Sequence, residues 1–385
     1  MSPSPIQAFL DRDLIPPLAD QDEIRLLCLQ PGVTGDKIVC TTQHVKLSTN
    51  PQYEALSYVW GSKDMRPITL NSYPWEVREN LFDALINLRH ETKPRILWID
   101  AICIKQDDVK ERNHQVSRMG TIYSKASKVV AWLGLANEFT VEALGHLEKF
   151  EEEEAPKIIC SSSLVFKNEL AGTEAGHRIL EGVRLISLRS YWTRLWIIQE
   201  LQLASDADIQ CGRNCVPWEV FKAFFMDLEP EEPYYPVFSA LGEDEKHVSP
   251  LSNLIWEAWS RDDSPSVRNS QYLSHLCFSF RKSQCEKAID KILGLWSLAP
   301  VCCQDGVPVD YDLGVDQVLG KIFGHEVGAH DTPSRYLDRD EGVDRLRKLI
   351  FESWSHWTEL ERTWRQVEED MAAYDLLLTS LDELV

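Results

Sequence analysis

Tyr53-Glu54-Ala55-Leu56-Ser57-Tyr58-Val59-Trp60-Gly61 is an apolar run with polar side chains at its exit and a glycine at its stop. Two later segments share that character. They are Leu97-Trp98-Ile99-Asp100-Ala101-Ile102-Cys103 and Trp192-Thr193-Arg194-Leu195-Trp196-Ile197-Ile198-Gln199-Glu200-Leu201. Short apolar runs bounded by turn signals read as buried strands. In an open α/β sheet, polar groups at the strand ends line the ligand crevice. The three segments therefore predict a single pocket of nucleotide-binding type.

The flanking sequence supplies the rest of an α/β pattern. Arg95 to Ile99 reads as a compact strand that delivers Asp100 at its end, and Val129 to Leu133 reads as another, ended by Gly134. Between the first and second runs, Asn80 reads as a helix cap. Behind it Leu81, Phe82, Leu85, Ile86 and Leu88 recur at helical spacing until Pro94. A second helix is expected from Asp107 or Asp108, with Val116, Met119, Ile122 and Tyr123 facing inward. Strand alternating with helix predicts a parallel sheet flanked by helices.

Upstream, strands are expected at Ile24–Leu29, Lys37–Cys40 and His44–Leu47. Ile68–Leu70 and Trp75–Val77 are expected to form a hairpin about Asn71–Pro74. Residues 137–190 look like a helical insertion before a helix from Trp192 to Leu203, and Ala207–Gln210 reads as one more strand. Beyond Pro217 helices are expected at Trp218–Leu228, Leu251–Ser260, Tyr272–Arg281 and Asp290–Leu298, with a helical acidic end from Asp340. The expected organisation is a lead-in at 1–19, an α/β domain at 20–215, and a mostly α-helical C-terminal region at 216–385.

Composition narrows the function. A net charge of -21 argues against nucleic acid as a partner, since phosphate binding needs a basic footprint, and it disfavours anionic membrane surfaces. No stretch approaches the ~20 apolar residues of a membrane span. Met1-Ser2-Pro3-Ser4-Pro5 does not look like the start of a signal peptide. The ten cysteines are scattered, so reduced thiols and a cytoplasmic location are expected. Cys211 and Cys215 have no second ligand pair nearby in sequence, and no His or carboxylate spacing predicts a metal site. Cys103 with His114 lacks an orienting third group. Neither a Walker loop nor a GxGxxG fingerprint is present.

The motif order resembles the fungal heterokaryon-incompatibility (HET) domain. Its first box, similar to YxALSYxWG, is matched by Tyr53–Gly61. Its second is matched by Trp98-Ile99-Asp100 through Gln106, Asp108, Glu111-Arg112, Gln115-Val116, Met119 and Ile122-Tyr123, then Trp132-Leu133-Gly134. A third, similar to RxWxxQE, is matched by Arg194–Glu200, and Lys105 departs where asparagine is usual. The resemblance implies non-self recognition between fungal cells and regulated cell death. It also implies a divergent TIR-like core. Tyr53–Gly61 is similar in layout to the TIR box YDVFLSYRG, and Trp196–Leu201 to the WCLDEL segment of NAD-cleaving TIR domains.

On that resemblance Glu200 is the expected catalytic residue. A helical turn separates Trp196 from Glu200, so indole and carboxylate share a face. Cleavage of NAD at the nicotinamide–ribose bond passes through an oxocarbenium-like state that one buried carboxylate can stabilise. Ser57, Tyr58, Trp60, Gly61, Asp100, Arg112 and Trp196 are the expected nucleotide contacts. NAD would be the substrate, with no further cofactor required. Each residue also has a structural reading: Glu200 paired with an arginine, Asp100 as a turn cap or partner of Arg112, Tyr58 and Trp60 in the core, and Glu111 at a helix start. Glu111 and Glu54 are the alternative carboxylates. The enzyme reading stands beside a non-enzymatic module acting through self-association or protein partners, and beside an inactive member held by its own helices.

Overall fold

The computed structural model describes residues 15–153, 173–226, 272–330 and 339–351. Among the described residues nine strands form one sheet in the order β5-β4-β2-β1-β6-β3-β7-β8-β9. They are β1 (Glu23–Leu29), β2 (Val39–Lys46), β3 (Glu54–Tyr58), β4 (Met65–Leu70), β5 (Tyr73–Arg78), β6 (Arg95–Trp98), β7 (Lys128–Trp132), β8 (Ala207–Cys211) and β9 (Asn214–Pro217). The helices between them are α1 (Glu79–Leu88), the short α2 (Asp100–Cys103), α3 (Val109–Lys125), α4 (Glu138–Glu153), α5 (Glu174–Ser187) and α6 (Ile197–Gln202).

The central block β6-β3-β7-β8 is parallel, with Ala55 paired to Trp98 on one side and to Val129 on the other. In chain order this block runs second, first, third, fourth, so the order reverses between β3 and β7. That is the flavodoxin-like arrangement, which opens a crevice at the carboxyl ends of the two strands. β3 carries buried residues on both faces and β7 does so over its last four residues, as expected of strands covered by helices on each side.

Outside this block the expected parallel sheet becomes mixed. β1 runs antiparallel to both β2 and β6, and β4–β5 and β8–β9 are antiparallel hairpins. The reason lies in the connections. β4 and β5 are joined by Asn71 and Ser72 alone, both at positive φ, and a two-residue link can only reverse the chain. The turn is thus two residues shorter than the Asn71–Pro74 reading. The two short strands expected between Lys37 and Leu47 are one strand, β2.

Two helix starts contrast. Asp108 caps α3, accepting from the Lys110 and Glu111 amides at 3.0 and 3.1 Å. Asn80 does not cap α1, which begins after Arg78. The helix expected from Trp192 is also shorter: a 3-10 turn spans Ser190–Thr193 and α6 begins at Ile197. Arg194 between them is extended, and backbone bonds from Leu195 to Gln284 (2.8 Å) and from Gln284 to Thr193 (2.6 Å) flank it. Pairing with a distant segment overrides the local helical pattern there.

The C-terminal region is helical where described: α7 (Trp218–Met226), α8 (Leu273–Ser279), α9 (Asp290–Leu293), α10 (Val301–Gly306), α11 (Val315–Ala329) and α12 (Arg339–Phe351). The helix expected at Leu251–Ser260 and the chain after Phe351 lie outside the described residues, as do 154–172 of the expected insertion. Among the described residues no helix is long and apolar enough to cross a membrane. The helical region packs on the α/β core. Asn113 of α3 receives the Tyr311 amide at 3.1 Å, and the Arg112 guanidinium lies 4.9 Å from the Tyr311 ring centre.

Inside the insertion, α4 and α5 approach closely at Gly182. A β-carbon there would sit 2.1 Å from the Phe139 carbonyl oxygen. Gly182→Ala is therefore expected to destabilise the fold by about 1–3 kcal/mol despite alanine's better helix propensity. A lowered urea midpoint at unchanged slope would report it; an unchanged midpoint would mean that the helices can separate freely.

Candidate functional site

The sheet's reversal point is fastened by one side chain. Asn80 donates to the Val59 carbonyl at 2.6 Å and accepts from the Trp132 indole at 3.0 Å, linking the exits of β3 and β7. The residue read as a helix cap is thus a clamp on the crevice. Just beyond β3, Gly61 takes φ +70, a conformation that favours glycine, and a β-carbon there would meet Asn80 at 3.1 Å. The guanidinium of Arg78 lies 5.1 Å from the centre of the half-buried Trp60 ring.

From the other side of the crevice comes α6, which packs on β3 and β7 and presents Glu200. The side chain of Ser57 on β3 donates to the Glu200 carboxylate, and the same hydroxyl pairs with the Tyr191 hydroxyl at 2.6 Å. The Tyr123 hydroxyl, which donates to the Leu56 carbonyl at 3.2 Å, lies close enough to the carboxyl to favour its ionised form. Burial pushes Glu200 up to about 7, and the charge of Asp100 works in the same direction; Arg194, Ser57 and Tyr123 oppose it. At neutral pH this carboxyl is divided between its two protonation states.

Asp100 begins α2 directly after β6. It accepts from the Trp60 indole at 3.0 Å and from the Ala101 amide at 2.7 Å. Burial raises it too, while Arg194, Trp60 and Ala101 restrain the shift. Arg194 donates to the Tyr58 carbonyl, and its positive charge acts on both carboxylates. Arg194→Gln is expected to raise the Glu200 and Asp100 titrations, a change visible in carboxyl-carbon NMR. Unmoved titrations would remove Arg194 from the electrostatics of the site.

Ser57, Trp60, Gly61, Asp100 and Glu200 are thus brought to one crevice edge, with Trp196 half-buried one turn before Glu200. The Tyr58 side chain is buried with its hydroxyl within reach of the Asp100, Arg194 and Glu200 charges, and its carbonyl accepts from Arg194. One expected contact belongs elsewhere. Arg112 does not reach the Asp100 carboxylate; it donates to the Gln106 carbonyl at 3.0 Å and stacks on Tyr311, because α3 carries it toward the C-terminal helices.

The alternative carboxylates are occupied. Glu54 takes two guanidinium bonds from Arg95, and Glu111 pairs with the buried Arg25. Among the described residues Glu200 has no ion-pair partner of this kind. Cys103 and His114 are apart: the thiol is buried beside the Ile99 amide, and His114 bonds to the Gln21 carbonyl at 2.7 Å. Sequence reading left out Asn80, Tyr123 and Tyr191 as site residues. Tyr123 falls inside the second matched segment and was read as facing inward, and Tyr191 lies three residues before the third. Folding also gathers Cys302, Cys303, His325 and His330 in the C-terminal region, where sequence spacing predicts no metal-ligand set.

Residues 53–200 match the family model described as heterokaryon incompatibility protein (HET). The chain contains a HET domain. The matched segment begins one residue before β3 and ends at Glu200, so it encloses the crevice residues and leaves β1, β2, β8, β9 and the C-terminal helices outside. Heterokaryon incompatibility protein 6, OR allele, of Neurospora crassa is 27% identical over 84% of this chain and 54% of its own length. The chain thus spans about half the length of the curated relative it matches. No solved structure matches.

Proposed function

We propose that this HET-domain chain is an effector of fungal heterokaryon incompatibility that promotes regulated cell death by cleaving NAD at the nicotinamide–ribose bond. The observation that carries the reading is the Glu200 carboxyl, buried beside Asp100 at the crevice of a second-first-third-fourth parallel block, with the Arg194 charge acting on it but no direct ion pair among the described residues. The strand order and the Trp196–Glu200 spacing support a TIR-like core.

In this reading the C1′–nitrogen bond of NAD breaks and its electron pair goes to nicotinamide, which leaves neutral without needing a proton. Positive charge develops on the ribose, where ionised Glu200 stabilises it. Water then adds at C1′ and loses a proton, giving ADP-ribose. Ser57 and Tyr191 orient the carboxylate, and Asp100 and Trp60 flank the ribose and base approach. Location in the cytoplasm, where NAD is available, belongs to the same proposal.

The reaction requires Glu200 to be ionised. Turnover should therefore rise through pH about 7, the value at which that carboxyl titrates, and level off above it. Nicotinamide release followed against pH, over a range of protein concentrations, checks this. A rate that is flat from pH 6 to 8 would remove Glu200 from the step.

A second reading, a TIR-like signalling or self-association module, is favoured by one observation: Glu200 is only 3% exposed. It predicts concentration-dependent assembly with no NAD turnover at any concentration.

A further inference from the structure

Cys302 and Cys303 lie on α10, His325 on α11, and His330 caps the end of α11. Their ligand atoms all fall within 4.8 Å of one another. The His330 Nε2 is 3.3 Å from the Cys303 sulfur, 3.7 Å from the Cys302 sulfur and 3.1 Å from the His325 Nε2. One imidazole nitrogen serves a single in-plane hydrogen bond, so three such partners do not form an ordinary hydrogen-bond set. Tetrahedral zinc, with bonds of ~2.0–2.1 Å to nitrogen and ~2.3 Å to sulfur, places its ligand atoms about 3.3–3.8 Å apart. The contacts of His330 lie close to those edges.

We propose that Cys302, Cys303, His325 and His330 bind one zinc ion in a closed, structural site. Two thiolates and two imidazoles select a borderline-soft tetrahedral cation, and four protein ligands leave no position for substrate. Binding displaces the thiol protons and oxidises nothing.

The surroundings are those of a supported site. A β-carbon at Gly306 would come within 2.6 Å of His325 Nδ1, so glycine there lets the imidazole seat against α10. The Tyr272 ring packs on His330 at 4.0 Å, and the Leu273 amide reaches the Cys303 sulfur. The ion would tie α10 to the end of α11 and to the head of α8. His325 and His330 are separated by four residues, within the usual spacing of zinc-binding histidines, whereas adjacent cysteines depart from the usual pattern. The pair alone therefore gave no sequence signal.

The test uses the full chain purified with its thiols kept reduced. Elemental analysis should find about one zinc per chain, and cobalt(II) exchanged into the site should give tetrahedral d–d bands with a thiolate charge-transfer band. Cys302→Ser and Cys303→Ser should each halve the charge-transfer intensity, and His330→Ala should weaken zinc binding at least about tenfold. A reduced parent chain that holds neither zinc nor cobalt overturns the proposal, as does a cobalt spectrum without a thiolate band. Both of those outcomes are read on the parent, so a misfolded variant cannot mask them.

Discussion

Glu200→Gln is expected to lower NAD turnover by about 10²–10³-fold, the loss typical of a group aimed at developing charge, while making the chain more stable above neutral pH. Both effects come from the same burial. In the unfolded chain Glu200 titrates near the ordinary value of 4.5, and in the fold it titrates at about 7. The folded state therefore holds its proton more tightly. The associated stability is complete below pH about 4.5 and declines as pH rises through about 7, a total of about 3 kcal/mol. Glutamine keeps the shape and a carbonyl for Ser57 but never ionises. Parent and variant should have similar stability at pH 5, and the variant should lead by up to about 3 kcal/mol at pH 8. Urea unfolding at the two pH values checks this. A gap that does not open with pH would mean that the carboxyl is not held in an apolar setting.

Breaking the Arg25–Glu111 pair should have the largest effect on stability. Arg25 is fully buried on β1 and bonds Glu111 at 2.9 Å, the Cys103 carbonyl at 2.6 Å and the Pro16 carbonyl at 2.6 Å. Glu111 also accepts the Lys105 amide at 2.8 Å. The pair thus joins β1 to the end of α2 and the first turn of α3, the segment that begins at Asp100. Glu111→Ala leaves a guanidinium charge without its counter-ion inside the protein, and should cost about 3–5 kcal/mol. Arg25→Met combined with Glu111→Leu removes both charges and should recover most of that loss. Urea midpoints of the single and double variants decide. Equal losses in both would place the energy in backbone contacts rather than in the ion pair.

The central strands were legible because β3, β6 and β7 are short, apolar and ended by Gly61, Asp100 and Gly134, which leaves few other ways to bury them. The start of α3 near Asp107 or Asp108 was legible since its signal is local. What escaped the sequence depends on partners far along the chain. Asn80 has the chemistry of a cap, but the Val59 carbonyl and the Trp132 indole claim it. Arg194 sits in a helical pattern but is extended because its neighbours bond to Gln284. Arg112 was expected near Asp100, and the helix that carries it faces Tyr311 instead. Glu200 was singled out by the resemblance of Trp196–Leu201 to the segment of NAD-cleaving TIR domains, while its raised titration needed Ser57, Tyr123, Asp100 and Arg194 around it.

The proposed function rests on Glu200 as the carboxylate that cleaves NAD. The most direct measurement is nicotinamide release at pH 8 by the full chain and by Glu200→Gln, at equal folded concentration and over a wide concentration range. Turnover in the parent and its near-complete loss in a variant that is folded and at least as stable is the expected result. Equal turnover in both, or none in the parent at any concentration, would contradict it.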